Sequence, residues 1–146
     1  MILSTILSII HPQLYQAGQE TLNCLRQNPK IEHQDVLQKW TSVFNSVSVI
    51  CNHTSLVHQD SESWHYWYDL LATLGPYQNC NLELPGLGLL LEYGLDAVVG
   101  LSGMMLEYEV AHFNGERACY AYSMKDNIHE WAGVPGGTWM KTDCYE

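Results

Sequence analysis

The chain has 146 residues, which is the usual size of a single domain. Hydrophobic residues make up 47% of the sequence, enough to fill a core, so a disordered chain is excluded. There are 16 acidic and 6 basic residues, which give a formal net charge of −10. So few cations exclude a broad electrostatic contact with a nucleic-acid backbone.

The cysteines and the apolar segments indicate the compartment. The 5 cysteines are widely spaced and form no C-x-x-C pair, which argues against a disulfide scaffold or a zinc ribbon and favours a reducing intracellular compartment. The apolar segment 1–10 lacks a basic region and a cleavage site, and no apolar run reaches the roughly 18 residues that span a bilayer. We therefore expect a soluble protein that does not contact a membrane.

Residues 1–40 have the pattern of helices. Pro12 suits the first turn of a helix, and the apolar spacing after it ends at Asn28-Pro29. A second short helix is predicted over about 32–40. The residues predicted on its buried side are Val36, Leu37 and Trp40.

From Ser42 onward, apolar and polar residues alternate with the period of two that is typical of strands. Short apolar runs follow, and Gly, Pro and Asn residues separate most of them. No helical crossover lies between these runs, so the sequence predicts a β-sandwich or jelly roll rather than a parallel sheet. The fold class is mainly β with N-terminal helices (α+β). A single domain 1–146 is predicted, divided into a helical lead-in (1–40), a jelly-roll core (42–126) and a C-terminal tail (127–146) with a turn or short helix at its start.

The tripeptide His58-Gln59-Asp60 is the first candidate for chemistry. In a strand, residues i and i+2 point to the same face, so the imidazole and the carboxylate would project together. This pair suits two positions of the 2-His-1-carboxylate triad that holds non-haem Fe(II). Alone it is weak support, because His33-Gln34-Asp35 repeats the pattern within a predicted helix.

The dipeptide Asn114-Gly115 is the second candidate feature, since Asn-Gly is a strong signal for a two-residue hairpin turn. Such a hairpin would pair Phe113 with Glu116, and it would set His112 opposite Arg117 and Tyr108 opposite Ala121. Arg117 would then lie about four strand residues, roughly 13 Å, from Tyr108. Either the guanidinium reaches inward to bind a dicarboxylate, or it is exposed at the hairpin edge. The residues alone leave both interpretations open.

Several ordered segments together resemble the Fe(II)/2-oxoglutarate-dependent dioxygenases of the TET/JBP type, particularly compact fungal members often found with mobile elements. The segments are SVICNHTSLVHQD (48–60), WYDLLATLGPY (67–77), LELPGLGLLLEY (82–93), AVVGLSG (97–103), GERACYAYSMKDNIHE (115–130) and GTWMKTDCYE (137–146). The helical lead-in also looks like that of the family. The resemblance implies a double-stranded β-helix that uses Fe(II), 2-oxoglutarate and O2 to oxidise a methylated base in nucleic acid, with 5-methylcytosine as the leading substrate. It also implies an intracellular, nuclear protein, and it does not identify the protein partners.

The resemblance assigns roles to individual positions. His58 and Asp60 would be the first two iron ligands, and Arg117 would bind the far carboxylate of 2-oxoglutarate. The family's remaining ligand is a histidine nine residues before that arginine, in a segment that usually reads like L-R-H-G-V. Here the segment is L-E-Y-E-V (106–110), so the third metal position holds Tyr108. No catalytic residue beyond the metal and cofactor ligands is implied.

Tyrosine at position 108 bears directly on activity. A neutral imidazole suits Fe(II), whereas a phenol with an ordinary pKa of about 10 ligates well only as phenolate. A phenolate is a hard anion that favours Fe(III) and resists turnover. Glu107 and Glu109 add negative charge beside this position. His112 lies roughly 13 Å further along a strand and is not expected to replace the missing ligand.

A base substrate would have to leave its duplex and stack on an aromatic side chain. The candidate substrate contacts are Tyr68, with its aromatic neighbours Trp64, Tyr66 and Trp67, and Asn52 as a hydrogen-bonding group. Each also has an ordinary interpretation, as packing for the aromatic residues and as a turn residue for Asn52. His129 is expected to make a structural contact. Lys125 would either supplement Arg117 or be solvated.

Three hypotheses about function follow. The first is an active Fe(II)/2-oxoglutarate dioxygenase of nucleic-acid bases. The second is a degenerate member that keeps the fold and serves as a binding module, which Tyr108 favours. The third is a dioxygenase of a protein or small molecule, which the acidic charge favours.

Overall fold

The computed structural model describes residues 1–141. Cys144 and the end of the predicted tail therefore lie outside the described residues. The helices are α1 (Ile2–Ile10), α2 (Pro12–Gln27), α3 (Gln34–Lys39) and α4 (Asp126–Ala132), with a 3-10 turn at Pro85–Leu87. The strands are β1 (Ser46–Cys51), β2 (Ser55–His58), β3 (Asp69–Leu74), β4 (Tyr77–Gln78), β5 (Asn81–Leu84), β6 (Leu89–Glu92), β7 (Val98–Leu101), β8 (Tyr108–Val110), β9 (Asn114–Gly115) and β10 (Ala118–Ser123).

The predicted helical lead-in is confirmed, and a buried histidine attaches it to the sheets. Pro12 occupies the first turn of α2. The ring of His11 accepts a hydrogen bond from the backbone N–H of Leu14 (3.2 Å) through Nδ1 and donates one to the carbonyl of Tyr66 (3.1 Å) through Nε2. Burial lowers the pKa of His11, so the neutral ring makes both contacts. None of the helices in residues 1–141 is both long and apolar enough to cross a bilayer.

The predicted buried side of α3 is wrong. No residue of α3 is buried, and Val36 is 52% exposed. Arg26 of α2 instead donates hydrogen bonds to the carbonyls of Leu37 and Trp40. The short helix is therefore fastened by its C-terminal carbonyls, which a pattern of apolar spacing does not report.

Two four-stranded antiparallel sheets form the body of the protein. Their strand orders are β1-β10-β3-β7 and β2-β8-β5-β6, and β4 pairs separately with β9. Successive strands alternate between the sheets over much of the chain, as β1, β2 and β3 do. The structure is mainly β with N-terminal helices, as the sequence predicts.

The first sheet is packed on both faces, which makes three layers. Along β3, Leu70 joins the core shared with the helices, together with Leu14, Phe44 and Met124. The next residue, Leu71, points to the opposite face and joins the core between the sheets. This second core positions the candidate site.

The predicted hairpin at Asn114-Gly115 is wrong. These residues pair with Gln78 and Tyr77, while β8 pairs with β2 and β5, and β10 pairs with β1 and β3. The Asn-Gly segment therefore carries the chain from one sheet to the other. Tyr108 does not lie opposite Ala121, and His112 is exposed.

Gly18 of α2 marks where the helices press on the sheet. A Cβ at this position would lie 2.6 Å from the Val43 carbonyl oxygen and 2.6 Å from Met124 Cε. The Met124 side chain can move, but the backbone of Val43 cannot move without shifting the chain that leads into β1. Gly18 is therefore required by packing.

We expect Gly18→Ala to lower the free energy of unfolding by about 1–3 kcal/mol, because overpacking outweighs the gain of about 1 kcal/mol in helix propensity. Urea unfolding followed by circular dichroism measures the change. Gln16→Ala, at an exposed position of the same helix, is the control and should change stability little. A Gly18→Ala variant as stable as the control would contradict this packing.

Candidate active site

His58 and Tyr108, the first and third predicted metal positions, lie directly opposite each other on neighbouring strands. His58 ends β2, Tyr108 begins β8, and the two are paired across the antiparallel ladder. Their ring centroids are 4.4 Å apart. Nδ1 of His58 is 2.8 Å from the carbonyl oxygen of Leu56, and since a carbonyl only accepts, Nδ1 carries the proton. Nε2 is therefore the nitrogen that can coordinate a metal, in the arrangement common to metal-binding histidines.

The second predicted metal residue is held just beyond the end of β2. The backbone N–H of Asp60 donates to the carbonyl of Gly103 at 2.9 Å. A Cβ on Gly103 would lie 2.5 Å from Asp60 Oδ2 and 2.8 Å from Asp69 Oδ2. Only glycine leaves room here for two carboxylates to approach the same point.

Asp69 is a residue of this site that the sequence analysis missed. It is buried, and neither of its carboxylate oxygens has a hydrogen-bond partner in the described part of the chain. Burial, and then the negative charge of Asp60, raise the pKa of Asp69 to about 7. At neutral pH Asp69 is therefore partly protonated and adds less than a full charge beside Asp60. A lone carboxylate inside the apolar run 66–74 is the signal that could have revealed it.

Tyr108 completes the cluster with a hydrogen bond instead of an imidazole. Its hydroxyl donates to Asp60 Oδ2 at 2.9 Å. Burial raises the pKa of Tyr108, and the neighbouring charge of Asp60 raises it further. The phenol therefore keeps its proton and occupies one oxygen of the carboxylate. Within residues 1–141, no three His, Cys, Asp or Glu side chains come together as a complete metal site.

Arg117 is buried, so its interpretation as an exposed edge residue is wrong. It is 5% exposed, its Nε donates to Thr73 Oγ1 at 3.1 Å, and its Cζ is 4.9 Å from the centroid of the Tyr93 ring. Lys125 and Glu62 form an ion pair, but Arg117 forms none with any residue that the structure describes. A buried cation without an anion is a site prepared for an anionic ligand.

One cavity is lined by His58, Tyr108 and Arg117. It has a volume of about 680 Å³, within the range of ligand pockets. His58 and Tyr108 of the second sheet line it together with Arg117 of the first sheet. Its apolar lining includes Leu71, Leu82, Val110 and Ala121. The chemistry of the lining fits the far carboxylate of 2-oxoglutarate at Arg117, and His58 with Asp60 fits two positions around Fe(II); position 108 does not supply the third nitrogen.

The structure does not bring Asn52 to this cavity. Its Oδ1 accepts a hydrogen bond from the backbone N–H of Arg117 at 2.7 Å, and its own N–H donates to the Arg117 carbonyl at 2.8 Å. Its φ of 51° lies in the left-handed region that asparagine tolerates in turns. Asn52 therefore has the turn role and fixes the backbone from which the Arg117 side chain extends.

Tyr68 also lies away from the cavity. Its ring packs edge-on against His11, with centroids 5.4 Å apart, beside the helical core. The side chain of β3 that supports the site is Thr73, through its bond to Arg117. Strand alternation explains this, because Tyr68 is an odd number of residues from Thr73 and faces the helices.

The other side chains considered also lie elsewhere. Trp64, Tyr66 and Trp67 line a separate cavity beside α4. His129 makes the expected structural contact, with Nδ1 3.1 Å from Thr21 Oγ1. Lys125 pairs with Glu62 at 2.7 Å and does not assist Arg117.

Comparison with known proteins identifies the family. The family model Tet_JBP, the oxygenase domain of the 2OGFeDO superfamily, matches residues 1–126. No curated protein matches the chain. The matched range contains His58, Asp60, Tyr108 and Arg117. The predicted division into a lead-in, a core and a tail, with boundaries near residues 40 and 126, stays a prediction. Oxygenases of this superfamily use Fe(II) and 2-oxoglutarate, with O2 as co-substrate. The chain is therefore a member of the TET/JBP oxygenase-domain family, with the jelly-roll fold of the 2-oxoglutarate/Fe(II) dioxygenases.

Proposed function

We propose that this dioxygenase oxidises a methylated base in nucleic acid, with 5-methylcytosine as the leading substrate, and that Tyr108 limits its turnover. The observation that carries the proposal is the buried, unpaired guanidinium of Arg117 in the same cavity as His58. The family match supports the reaction type. We also propose that the protein acts inside the cell, in the nucleus, where methylated DNA is found.

His58 Nε2 and the Asp60 carboxylate would hold Fe(II), and Arg117 would hold the far carboxylate of 2-oxoglutarate. When bound, these groups supply oxidation of a C–H bond by O2, with 2-oxoglutarate decarboxylated to succinate. The carbonyl of Leu56 keeps His58 in the tautomer that presents Nε2. Thr73 and the Tyr93 ring hold the guanidinium in one orientation, so that it can form two parallel bonds to a carboxylate.

The apolar walls contribute by excluding water. Leu71, Leu82 and Val110 line the cavity between Arg117 and His58. In a cavity of low polarity the attraction between a guanidinium and a carboxylate is stronger than in water. A methyl group also fits such a lining better than a charged group does.

A specific contact favours the second candidate, a degenerate member acting as a binding module. The Tyr108 hydroxyl holds Asp60 Oδ2, so a metal would have to displace that hydrogen bond and would gain no imidazole in return. A substrate other than nucleic acid, a protein or small molecule, is the third candidate. The formal net charge of −10 favours it, because the phosphate backbone is repelled by an acidic surface.

The effect of position 108 can be tested directly. We expect Tyr108→His to tighten Fe(II) binding by about 10–100-fold, the usual effect of ligand-sphere changes, and to raise succinate release from 2-oxoglutarate. An anaerobic titration of Fe(II) with 2-oxoglutarate, followed by its visible absorption band, measures the first change. A coupled succinate assay in air measures the second.

Tyr108→Phe is the matched control for that test. It frees Asp60 from the hydroxyl but adds no nitrogen ligand, so we expect it to lack the gain of the histidine variant. Equal gains in both variants would mean that the imidazole is not a ligand. A folded Tyr108→His protein with no gain in metal binding would contradict the assignment of this position.

The role of Arg117 predicts a loss of cofactor binding. Removing charge-assisted hydrogen bonds costs about 1.5–3 kcal/mol, so Arg117→Met should weaken 2-oxoglutarate binding by at least about tenfold. Arg117→Lys should lose part of the affinity, because it keeps the charge without the fork. Calorimetry with Mn(II) in place of Fe(II) measures the affinity, and thermal unfolding checks that each variant folds. Lys39→Met, which removes an exposed cation, should change nothing; an equal loss in this control would count against Arg117.

The substrate class requires a panel of substrates. Oligonucleotides of DNA and RNA containing 5-methylcytosine, a methylated peptide and their unmethylated forms are compared for stimulated succinate release by the native protein and Tyr108→His. We expect the methylated DNA to give the largest stimulation. His58→Ala should abolish it. If only the methylated peptide stimulates succinate release, the substrate is a protein and the nucleic-acid assignment is wrong.

A further inference from the structure

A second cavity is separate from the one that contains the chemistry described above. It has a volume of about 390 Å³ and shares no lining residue with the cavity of His58 and Arg117. Its walls come from the segment between β2 and β3, from α4 and from the glycine-rich segment 133–138. The proposed oxidation uses none of these residues.

Aromatic side chains form one wall of this cavity. Trp64, Tyr66 and Trp67 all line it. The rings of Trp64 and Tyr66 are nearly perpendicular, at 75° with centroids 6.4 Å apart, and Trp139 packs edge-on against Tyr66 at 4.9 Å. Trp64 remains 42% exposed. Aromatic side chains that line a cavity attract quaternary ammonium groups through cation–π attraction.

Another part of the lining carries negative charge. Asp126 and Glu130 lie four residues apart on α4, so they share a helix face, and both line the cavity. Neither forms an ion pair with a described residue. No lysine or arginine is among the lining residues. His129 does not offset the acids, since burial lowers the pKa of its ring.

Two buried nitrogens in the walls lack a partner. Trp67 is 4% exposed and His129 2% exposed, and neither Trp67 Nε1 nor His129 Nε2 has a hydrogen-bond partner within residues 1–141. Gly136 packs directly on the indole of Trp67, where a Cβ would lie 2.4 Å from Nε1. Unpartnered polar atoms at this depth are costly in a purely structural wall. A ligand with a polar group beside its cation would give them a partner.

We propose that this cavity binds a quaternary ammonium group, the head group shared by trimethyllysine and choline, between the aromatic wall and the carboxylates of α4. The proposal is independent of the reaction at His58 and Arg117. It predicts that binding follows the positive charge as well as the shape of the ligand. A site that only buried apolar surface would not distinguish a trimethylammonium from a tert-butyl group.

The first experiment compares isosteric probes on the native protein by calorimetry. Choline is matched with the neutral 3,3-dimethylbutan-1-ol, and a trimethyllysine peptide is matched with the same peptide carrying unmodified lysine. We expect at least one cationic probe to bind about tenfold or more tightly than its matched control. The better of choline and the peptide identifies the source of the head group. Binding of neither, or equal binding within both pairs, would overturn the proposal.

Two matched variants test the location. Trp64→Ala should weaken binding of the cationic probe about threefold to thirtyfold, while Trp131→Ala, a tryptophan that is 53% exposed and does not line the cavity, should not. Glu130→Gln should weaken the cationic probe more than the neutral one, with Glu107→Gln as control at an exposed position elsewhere. Equal effects of each variant and its control would place the binding outside this cavity and overturn the proposal.

Discussion

A buried guanidinium without a carboxylate partner sets the character of the main cavity. Burial of a charge is expensive unless something compensates it. Thr73 compensates Arg117 in part with one hydrogen bond, and the rings of Tyr77, Tyr93 and Phe113 lie within 6.0 Å of its Cζ. The remaining donors favour an anion, and His58 and Tyr108 line the same cavity as this cation.

Two carboxylates and a phenol lie close together at the predicted metal position. Asp60 receives the hydroxyl of Tyr108, and Asp69 lies beside the same glycine with no hydrogen-bond partner in the described chain. Burial raises the pKa of Asp69 to about 7, and repulsion by the neighbouring Asp60 carboxylate contributes to the rise. A divalent cation would relieve that repulsion. The phenol relieves it differently, by donating a hydrogen bond to Asp60, and this explains how the cluster is stable with tyrosine in the third position.

The segment from His58 to Trp67 connects two different environments. Its first residue, His58, lines the main cavity, and Trp64, Tyr66 and Trp67 line the second cavity together with α4 and the glycine-rich segment. The lining of the main cavity contains the buried cation Arg117 and no acidic side chain, whereas the lining of the second contains Asp126 and Glu130 and no lysine or arginine. The two proposed ligands therefore carry opposite charges.

The sequence by itself determined the class of fold, the N-terminal helices and, through the family resemblance, four positions of the candidate site: His58, Asp60, Tyr108 and Arg117. Alternation with a period of two identified the strands, and several segments in order along the chain carried the resemblance, because these signals are local or depend on order along the chain. Tertiary structure alone decided the pairing: Asn114-Gly115 has the local chemistry of a hairpin turn, but β8 and β10 belong to different sheets that pack against the same core. It also decided that Asp69 and Gly103 join Asp60, and that Asn52 and Tyr68 do not reach the cavity. Such contacts join residues that are far apart in the chain. Whether a given side chain is buried depends on how the two sheets pack against each other.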